Sequence, residues 1–209
     1  MEKLLSEYKK NKKHIKKRLR KFRDLYDSKD ENIFAELCFC LLTPQSRAVY
    51  CDKAIKDLER KGLLLKGSKR IIKTQLKRVR FPNNKASYLI AARRIFRNGQ
   101  NFDIKSKLNT DDIFKTREWF VANVKGLGYK EASHFLRNIG LGKDIAILDV
   151  HILRNLNKYG VIKKIFPLAT KKAYLNIENK MRAFSQRIKI PLEELDLLFW
   201  SIEAGFIFK

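Results

Sequence analysis

The segment that most constrains the fold is 33–42, Ile-Phe-Ala-Glu-Leu-Cys-Phe-Cys-Leu-Leu, which is almost uninterruptedly apolar. It ends at Thr43-Pro44, where a helix is expected to stop because the residue before a proline avoids helical geometry. A helix that is apolar on all sides belongs in the interior of a protein. We therefore expect this segment at the centre of a helical domain.

Helical spacing of apolar residues extends over most of the chain. In 3–26, residues such as Leu4, Ile15 and Leu19 recur at helical intervals, and the opposite face is mostly Lys and Arg. Glycines and prolines separate the later blocks, and no segment alternates convincingly as a strand does. The fold class is therefore predicted to be all-α. The further predicted helices are 46–61, 68–76, 83–97, 111–124, 130–139, 149–159, 170–187 and 191–203.

The charge of the chain indicates a polyanionic partner. Its 209 residues contain 47 Lys and Arg against 22 Asp and Glu, a net charge of +25, while 44% hydrophobic residues argue for a folded core. Lys and Arg that neutralise phosphates release condensed counterions, so nucleic acid is the leading candidate. An anionic membrane surface and the solvated surface of a thermostable protein are the alternatives.

The three cysteines, Cys38, Cys40 and Cys51, are too few for an iron–sulfur cluster and poorly spaced for a tetrahedral metal site. We expect buried thiols, no metal and an intracellular location in the cytoplasm or nucleoid. The N-terminus lacks the apolar stretch of a secretion signal, and no run approaches the roughly 18 apolar residues of a membrane span. A monomer without contact to membranes is expected.

The segment 121–155 contains a glycine-rich turn between two predicted helices. Its Lys125-Gly126-Leu127-Gly128 sequence permits positive φ and close approach of a ligand to the backbone. The following helix offers unpaired N–H groups at its positive end, so this hairpin could bind a DNA phosphate without reading sequence. An ordinary tight connection between helices is the alternative.

Lys130 and Asp149 are the candidate catalytic residues of this segment. Lys130 lies in the first turn of a helix, where the dipole disfavours an ammonium ion and makes the amine more available as a nucleophile. Asp149 follows an apolar run and precedes the next helix, which is typical of an N-cap, although a rigid cap can also exchange a proton or stabilise a cationic sugar. A solvated lysine and a purely structural cap are the alternatives.

The same segment resembles the helix-hairpin-helix, Gly/Pro-rich loop and aspartate signature of the DNA glycosylase superfamily that includes endonuclease III. The sequence Gly-Tyr-Lys-Glu-Ala-Ser-His-Phe-Leu-Arg-Asn, the pair Asp149 and His151, and the ending Leu-Asp-Leu-Leu-Phe-Trp to Lys are similar to archaeal-type 8-oxoguanine DNA glycosylase/lyases. The likeness covers nearly the whole chain, but only 121–155 is highly specific.

This resemblance implies a bifunctional DNA N-glycosylase and AP lyase that acts on 8-oxoguanine in duplex DNA after flipping the nucleotide out of the stack. Lys130 would attack C1′, expel the base and form a Schiff base, and β-elimination would then nick the strand. Asp149 would assist the lysine and stabilise positive charge on the sugar.

The resemblance also assigns side chains to the DNA. Phe81 and Trp200 would sandwich the extruded base, and Lys209, as the last residue, would read the guanine edge with its terminal carboxylate. Phe81 and Trp200 could equally be core aromatics. His151 would contact a phosphate or be a surface residue, and His134, on the face of Lys130, would contact DNA or only pack.

Gln45, in Thr-Pro-Gln-Ser, lies where the superfamily inserts a side chain into the hole left by the flipped base. This turn resembles endonuclease III more than the archaeal-type enzymes, so the base opposite the lesion and the lesion itself stay open. Oxidised pyrimidines are one alternative substrate. A non-catalytic helix-hairpin-helix DNA-binding module is the other alternative reading.

The fold implied is a two-lobed helix-hairpin-helix DNA glycosylase with the active cleft between its lobes. Residues 30–138 would form a central bundle that contains the hairpin, and 1–29 with 139–209 would form a second lobe from both termini. No cofactor is expected. The hairpin carbonyls of Ala122, Val124 and Leu127 are candidate ligands of a monovalent cation, as in relatives.

Overall fold

The computed structural model describes residues 1–209, apart from the side chain at position 204, and it is almost entirely helical. The prediction of an all-α fold is confirmed. The described helices are α1 Glu2–Tyr26, α2 Asp30–Leu42, α3 Ala48–Arg60, α4 Leu63–Lys66, α5 Lys69–Gln75, α6 Pro82–Phe96, α7 Ile113–Asn123, α8 Tyr129–Asn138, α9 Val150–Lys158, α10 Lys171–Arg187 and α11 Leu192–Ala204.

Four short elements depart from the predicted pattern. The helix α4 occupies only one turn between Gly62 and Gly67, and a 3₁₀ turn spans Lys105–Lys107. Two-residue strands, β1 Arg97–Asn98 and β2 Asn101–Phe102, pair antiparallel with Arg97 opposite Phe102. Elements this short carry too few residues for either a helical or a strand period to show in the sequence.

The chain divides into two compact units, one formed by Met1–Leu25 with Leu136–Lys209 and the other by Tyr26–Phe135. The sequence places the boundaries at 29/30 and 138/139, and that division stays a prediction. We call the two units the terminal unit and the central unit. One boundary between these units falls at the end of α1 and the other within α8.

The central unit is built around α2. Every residue of α2 from Ile33 to Leu42 is buried, including Glu36, as its apolar sequence predicts. Phe34 packs against Phe96 of α6 and Phe102 of β2, with ring centroids 6.3 and 4.8 Å apart. Burial of about 1.5–3 kcal/mol per large apolar side chain makes α2 the core on which the surrounding helices assemble.

The terminal unit brings the two ends of the chain together. Leu4, Ile15 and Leu19 of α1 are buried, and the Tyr8 hydroxyl donates a 2.8 Å hydrogen bond to Glu194 of α11. Phe199 of α11 stacks on the rings of Tyr159 and Phe184 in the same unit. The rest of the unit covers only the apolar face of α1, so the Lys and Arg side chains of this helix stay at the surface. No described helix combines the length and hydropathy that a membrane crossing requires.

Candidate functional site

The predicted hairpin is present between α7 and α8. Its turn places Lys125, Gly126 and Gly128 at the surface. Gly126 has φ +90°, and a Cβ added there would lie 2.5 Å from the ring of Tyr88, so the backbone passes directly over that ring. Only glycine satisfies both the positive φ and the contact distance. The exposed main chain of the turn is therefore available to a phosphate.

A buried arginine joins the two helices of the hairpin. Arg117 of α7 is 1% exposed, and its Nη1 donates a 3.0 Å hydrogen bond to the Ser133 hydroxyl of α8. Its guanidinium also lies 5.4 Å from the ring centroid of Tyr129. Because Tyr129 is the first residue of α8, these contacts fix the direction in which the helix leaves the turn.

Lys130 is the second residue of α8, at the positive end of the helix dipole. Its side chain is 27% exposed, and its Nζ lies 3.2 Å from Glu131 Oε1. Its charge also lowers the pKa of the Lys85 ammonium and of the Cys51 thiol, although burial is the largest influence on both. Lys130 therefore combines a solvent-accessible amine with a neighbouring carboxylate and a cationic surrounding.

A buried lysine, Lys85, which sequence reasoning missed, holds the turn that carries Gln45. Lys85 is 3% exposed, and its Nζ donates hydrogen bonds to the carbonyls of Leu42 and Pro44, both 2.7 Å, and to the Ser46 hydroxyl, 2.9 Å. Burial is the main reason why its pKa falls to about 8. In a chain this rich in lysine, nothing in the pattern of residues distinguishes Lys85.

The hydrogen bonds of Ser46 connect the loop of Gln45 to the loop of Phe81. The Ser46 hydroxyl accepts a 2.9 Å hydrogen bond from the Arg80 N–H, which ties the two loops together. Gln45 and Phe81 both adopt positive φ, 54° and 57°, which costs about 1 kcal/mol or more for a residue with a side chain. Phe81 is nevertheless 51% exposed. A strained residue with an exposed ring is more typical of a ligand contact than of a core aromatic.

Asp149 caps α9, as its position predicts. It is half-buried, and its Oδ1 accepts a 2.9 Å hydrogen bond from the Ile152 N–H. Its backbone N–H donates to the Ile147 carbonyl at 3.0 Å. The cap bond involves only one carboxylate oxygen, so the second oxygen stays available for chemistry.

Three buried polar side chains hold the segment that leads to Asp149. The Ala146 N–H donates to Glu178 at 2.8 Å, its carbonyl accepts from the Tyr174 hydroxyl at 2.7 Å, and the Leu148 N–H donates to that hydroxyl at 3.2 Å. The Ile147 N–H donates to Asp196. Sequence reasoning missed these residues because they lie far along the chain from the loop they hold.

Asp196 is both buried and electrostatically coupled to Asp149. Burial, followed by the charge of Asp149, raises its pKa to about 7, although Arg137, 3.5 Å away, and the Ile147 N–H both lower the pKa. A protonated Asp196 removes a negative charge from the neighbourhood of Asp149. Its protonation state therefore affects the electrostatic environment of the candidate catalytic carboxylate.

The two histidines have different surroundings. His151 is the second residue of α9, and its Nδ1 lies 3.8 Å from Glu203 Oε2. Its side chain is 38% exposed, so a phosphate could reach the ring. His134 of α8 is buried and meets Phe39 edge-on, with ring centroids 5.6 Å apart. This environment favours the packing alternative for His134 over a DNA contact.

Trp200 lies at the end of α11 in a cluster with the last aromatic residues. Its ring is half-buried and meets Phe206 at 5.5 Å and 86°, and Phe208 at 6.4 Å. Lys209 is also partly exposed. The cluster holds the chain end beside Trp200, which is the arrangement required if both are to contact one base.

The thiols have no redox or metal partner in the described part of the chain. Cys38, Cys40 and Cys51 are buried and form no disulfide, and no group of three or more candidate metal ligands comes together there. Cys51 donates to the Leu42 carbonyl at 3.1 Å, and burial raises its pKa to about 11. It is therefore a packed thiol and not a thiolate at neutral pH.

Comparison with known proteins identifies the class. The family described as 8-oxoguanine DNA glycosylase matches residues 15–190. A relative from Fusobacterium nucleatum, named 8-oxoguanine DNA glycosylase/AP lyase, is 45% identical over 97% of this chain and 94% of its own length. A Methanocaldococcus jannaschii relative of the same name is 37% identical over 93% and 91%.

Solved structures agree with the sequence relatives. The 8-oxoguanine DNA glycosylase of Thermotoga maritima has a TM-score of 0.88 at 30% identity, covering 100% of this chain and 97% of its own. The M. jannaschii 8-oxoguanine glycosylase/lyase, in complex with a 15mer DNA containing 8-oxoguanine, has a TM-score of 0.88 at 33% identity, with both chains fully covered. This chain belongs to the 8-oxoguanine DNA glycosylase family.

Proposed function

We propose that this chain excises 8-oxoguanine from duplex DNA and cleaves the strand at the abasic site that results, as a bifunctional base-excision repair enzyme. The observation that carries the proposal is its likeness over the full chain to the M. jannaschii protein solved with 8-oxoguanine DNA, a TM-score of 0.88 at 33% identity. The 45% identity to an 8-oxoguanine DNA glycosylase/AP lyase supports the same activity.

Lys130 is the proposed nucleophile. Its amine, once deprotonated, attacks C1′ of the flipped nucleotide, and the bond from C1′ to the base breaks. The base takes up a proton as it leaves, and the attacking nitrogen loses one. The C1′–O4′ bond then breaks, O4′ takes up a proton, and the nitrogen and C1′ form a protonated Schiff base, which acidifies the C2′ proton. Loss of that proton breaks the bond between C3′ and its phosphate, and the strand is nicked. The accessible amine at the start of α8 supports this role.

Asp149 is proposed to take a proton from the lysine and to stabilise positive charge on the sugar. The support is its rigid placement. One oxygen is held by the Ile152 N–H, and the preceding backbone is bound by Tyr174 and Glu178. A carboxylate fixed in advance does not have to be reoriented in the transition state, so its stabilising effect is larger.

Further proposed contacts follow the same family motif. Phe81 and Trp200 stack on the extruded base, the carboxylate of Lys209 reads its edge, and Gln45 fills the space it leaves. Phe81's exposed ring and strained backbone support its role. The exposed turn at Lys125, Gly126 and Gly128 is proposed to bind one phosphate, and His151 another.

The proposed chemistry also bears on cofactors and on the oligomeric state. The chemistry above uses only side chains and DNA, so no redox or metal cofactor takes part. A monovalent cation on the carbonyls of Ala122, Val124 and Leu127 stays a prediction; a helix C-terminus, where such carbonyls lie, carries partial negative charge that suits it. We also infer a monomer that acts where the chromosome is, because one lesion requires one site.

The test is strand incision measured on four duplexes that are identical except at one position, which holds 8-oxoguanine, thymine glycol, an abasic site or guanine. We expect cleavage with 8-oxoguanine and the abasic site and none with guanine. Cleavage with thymine glycol in place of 8-oxoguanine would keep the chemistry and replace the substrate, the outcome that the Thr43-Pro44-Gln45-Ser46 turn favours. Binding without any cleavage would indicate a DNA-binding module.

A further inference from the structure

A basic groove lies in the terminal unit, and none of the residues that line it was given a role above. Its volume is about 430 Å³. One wall is formed by a face of α1 and the other by the chain just after α11, and none of the lining residues is acidic. The lining residues are Asn11, His14, Lys17, Arg18, Lys21, Gly205, Phe206 and Ile207.

The spacing of the α1 residues places them along one line. His14 and Lys17, like Arg18 and Lys21, are three residues apart, and His14 and Arg18, like Lys17 and Lys21, are four apart, so the four share a face of the helix. From His14 to Lys21 the helix rises ~10 Å. That distance is the rise of about three nucleotides along one strand of a duplex, so the line of cations matches a short stretch of phosphates.

These cations are not neutralised by the protein. Within the described residues, Lys17 and Lys21 form no ion pair or hydrogen bond, and both are exposed. Elsewhere on α1, Lys10 pairs with Glu7 at 3.1 Å. Arg18 is held by its contact with the Phe22 ring, 5.9 Å from the ring centroid. Unpaired cations along a groove gain most from a polyanion, because its binding releases condensed counterions.

Phe206 connects the groove to the proposed base site. Its side chain is 49% exposed, and its ring meets Trp200 edge-on at 5.5 Å. Trp200 is proposed to stack on the flipped base. Phe206 thus places the groove next to the ring that the lesion strand would meet at its flipped base.

We propose that this groove binds the phosphodiester backbone of the lesion strand within about three nucleotides of the flipped nucleotide. Lys17, Arg18 and Lys21 contact the phosphates, and Phe206 lies against the sugar between them. The assignment to the lesion strand rests on the proposed function, since it uses the role given to Trp200. The binding of a DNA backbone in the groove does not depend on that role.

The first test compares two double variants of the same helix. Lys17→Gln/Lys21→Gln removes two groove cations, and Lys13→Gln/Lys16→Gln removes two exposed cations that do not line the groove. Both change the net charge equally and keep helix propensity nearly constant. The dissociation constant of undamaged duplex is measured against salt concentration. We expect the groove pair to reduce the log–log slope by about 1.8, or 0.9 for each phosphate lost, and the control pair to reduce it much less. Equal slopes for the two pairs would overturn the proposal.

The second test locates the strand. Single phosphates are replaced by neutral methylphosphonates on either side of an 8-oxoguanine and at matching positions of the complement. We expect replacements near the lesion on its own strand to weaken binding by the wild type but not by Lys17→Gln/Lys21→Gln, a coupling that a merely structural role would not produce. Coupling only on the complementary strand would overturn the assignment of the strand. Should the wild type fail to excise 8-oxoguanine at all, the proposed function fails, while the slopes of the first test still decide whether DNA occupies the groove.

Discussion

Buried polar groups next to the candidate catalytic residues explain how those residues are held. Asp149 follows a backbone segment whose amides and carbonyls are bound by Glu178, Tyr174 and Asp196, all nearly inaccessible to solvent. Each buried carboxylate or hydroxyl would cost free energy without a partner, so the loop and its supports stabilise one another. The position of one carboxylate thus depends on residues from two other helices, α10 and α11.

The raised pKa of Asp196 predicts that the free energy of unfolding depends on pH. Its pKa is raised from 3.8 to about 7, so between these values the folded chain binds a proton that the unfolded chain has lost. Stability from this group is complete below about pH 4 and is lost as the pH rises towards 7. Asp196→Asn should remove that part of the slope. The measurement is the free energy of unfolding from urea titrations of both proteins at pH 5 and pH 8; an unchanged slope in the variant would contradict the raised pKa.

Replacing Lys85 should slow the excision of 8-oxoguanine and the cleavage of an abasic site to different extents. Lys85→Met removes the donor to the Pro44 carbonyl and one of the two donors to the Ser46 hydroxyl, which should cost about 1–3 kcal/mol of stability. It also frees the loops that carry Gln45 and Phe81. Single-turnover excision of 8-oxoguanine should fall more than cleavage of a preformed abasic site, because an abasic site has no base for Phe81 to stack on.

Ser46→Ala is the milder control for Lys85. It keeps the two carbonyl bonds of Lys85 and removes the two bonds that the Ser46 hydroxyl accepts, from Lys85 Nζ and from the Arg80 N–H. We expect a smaller loss of stability but the same preference, with excision reduced more than abasic-site cleavage. If both activities fell equally in both variants, Lys85 would be a structural residue without a role in base recognition.

At the scale of elements, the hairpin depends on the close contact between its turn and α6. Gly126→Ala introduces a Cβ 2.5 Å from the Tyr88 ring in addition to the strain of positive φ. Gly62, in the same unit, also has a positive φ, +64°, but open space around it, so Gly62→Ala reports a positive φ without a close contact. That strain is about 1 kcal/mol.

We expect Gly126→Ala to lose more stability than Gly62→Ala and to weaken binding to undamaged duplex, because the turn must move away from Tyr88. Thermal unfolding and fluorescence anisotropy measure the two effects. Equal behaviour of the two variants would mean that the contact with Tyr88 does not hold the turn.

The elements also show what the sequence can and cannot predict. Apolar spacing and glycine or proline stops predict ten of the helices to within a few residues, because each buries one face over several turns. The short α4 and the two-residue strands were not predicted. The spacing of residues singled out Lys130 and Asp149, and their roles came from the family motif. Lys85 and Asp196 could not be found, since contacts distant in sequence leave no local pattern.

At the scale of the whole molecule, a net charge of +25 predicts DNA binding that weakens steeply with salt. That property is common to a glycosylase and a binding module, so it tests neither. What separates them is a covalent step at one lysine among many. The charge sets how strongly the chain holds any duplex, and the two candidate catalytic residues decide whether a lesion is removed.

The most direct measurement of the central claim is borohydride trapping on a duplex with a single 8-oxoguanine, followed by peptide mapping. Borohydride reduces a Schiff base to a stable amine, so the attacking residue stays attached to the DNA. We predict an adduct at Lys130 with the lesion duplex, none with the undamaged one, none for Lys130→Gln, and a normal amount for Lys73→Gln, an exposed lysine of the same unit. An adduct that persists in Lys130→Gln, or a wild-type protein that forms none, would contradict the account.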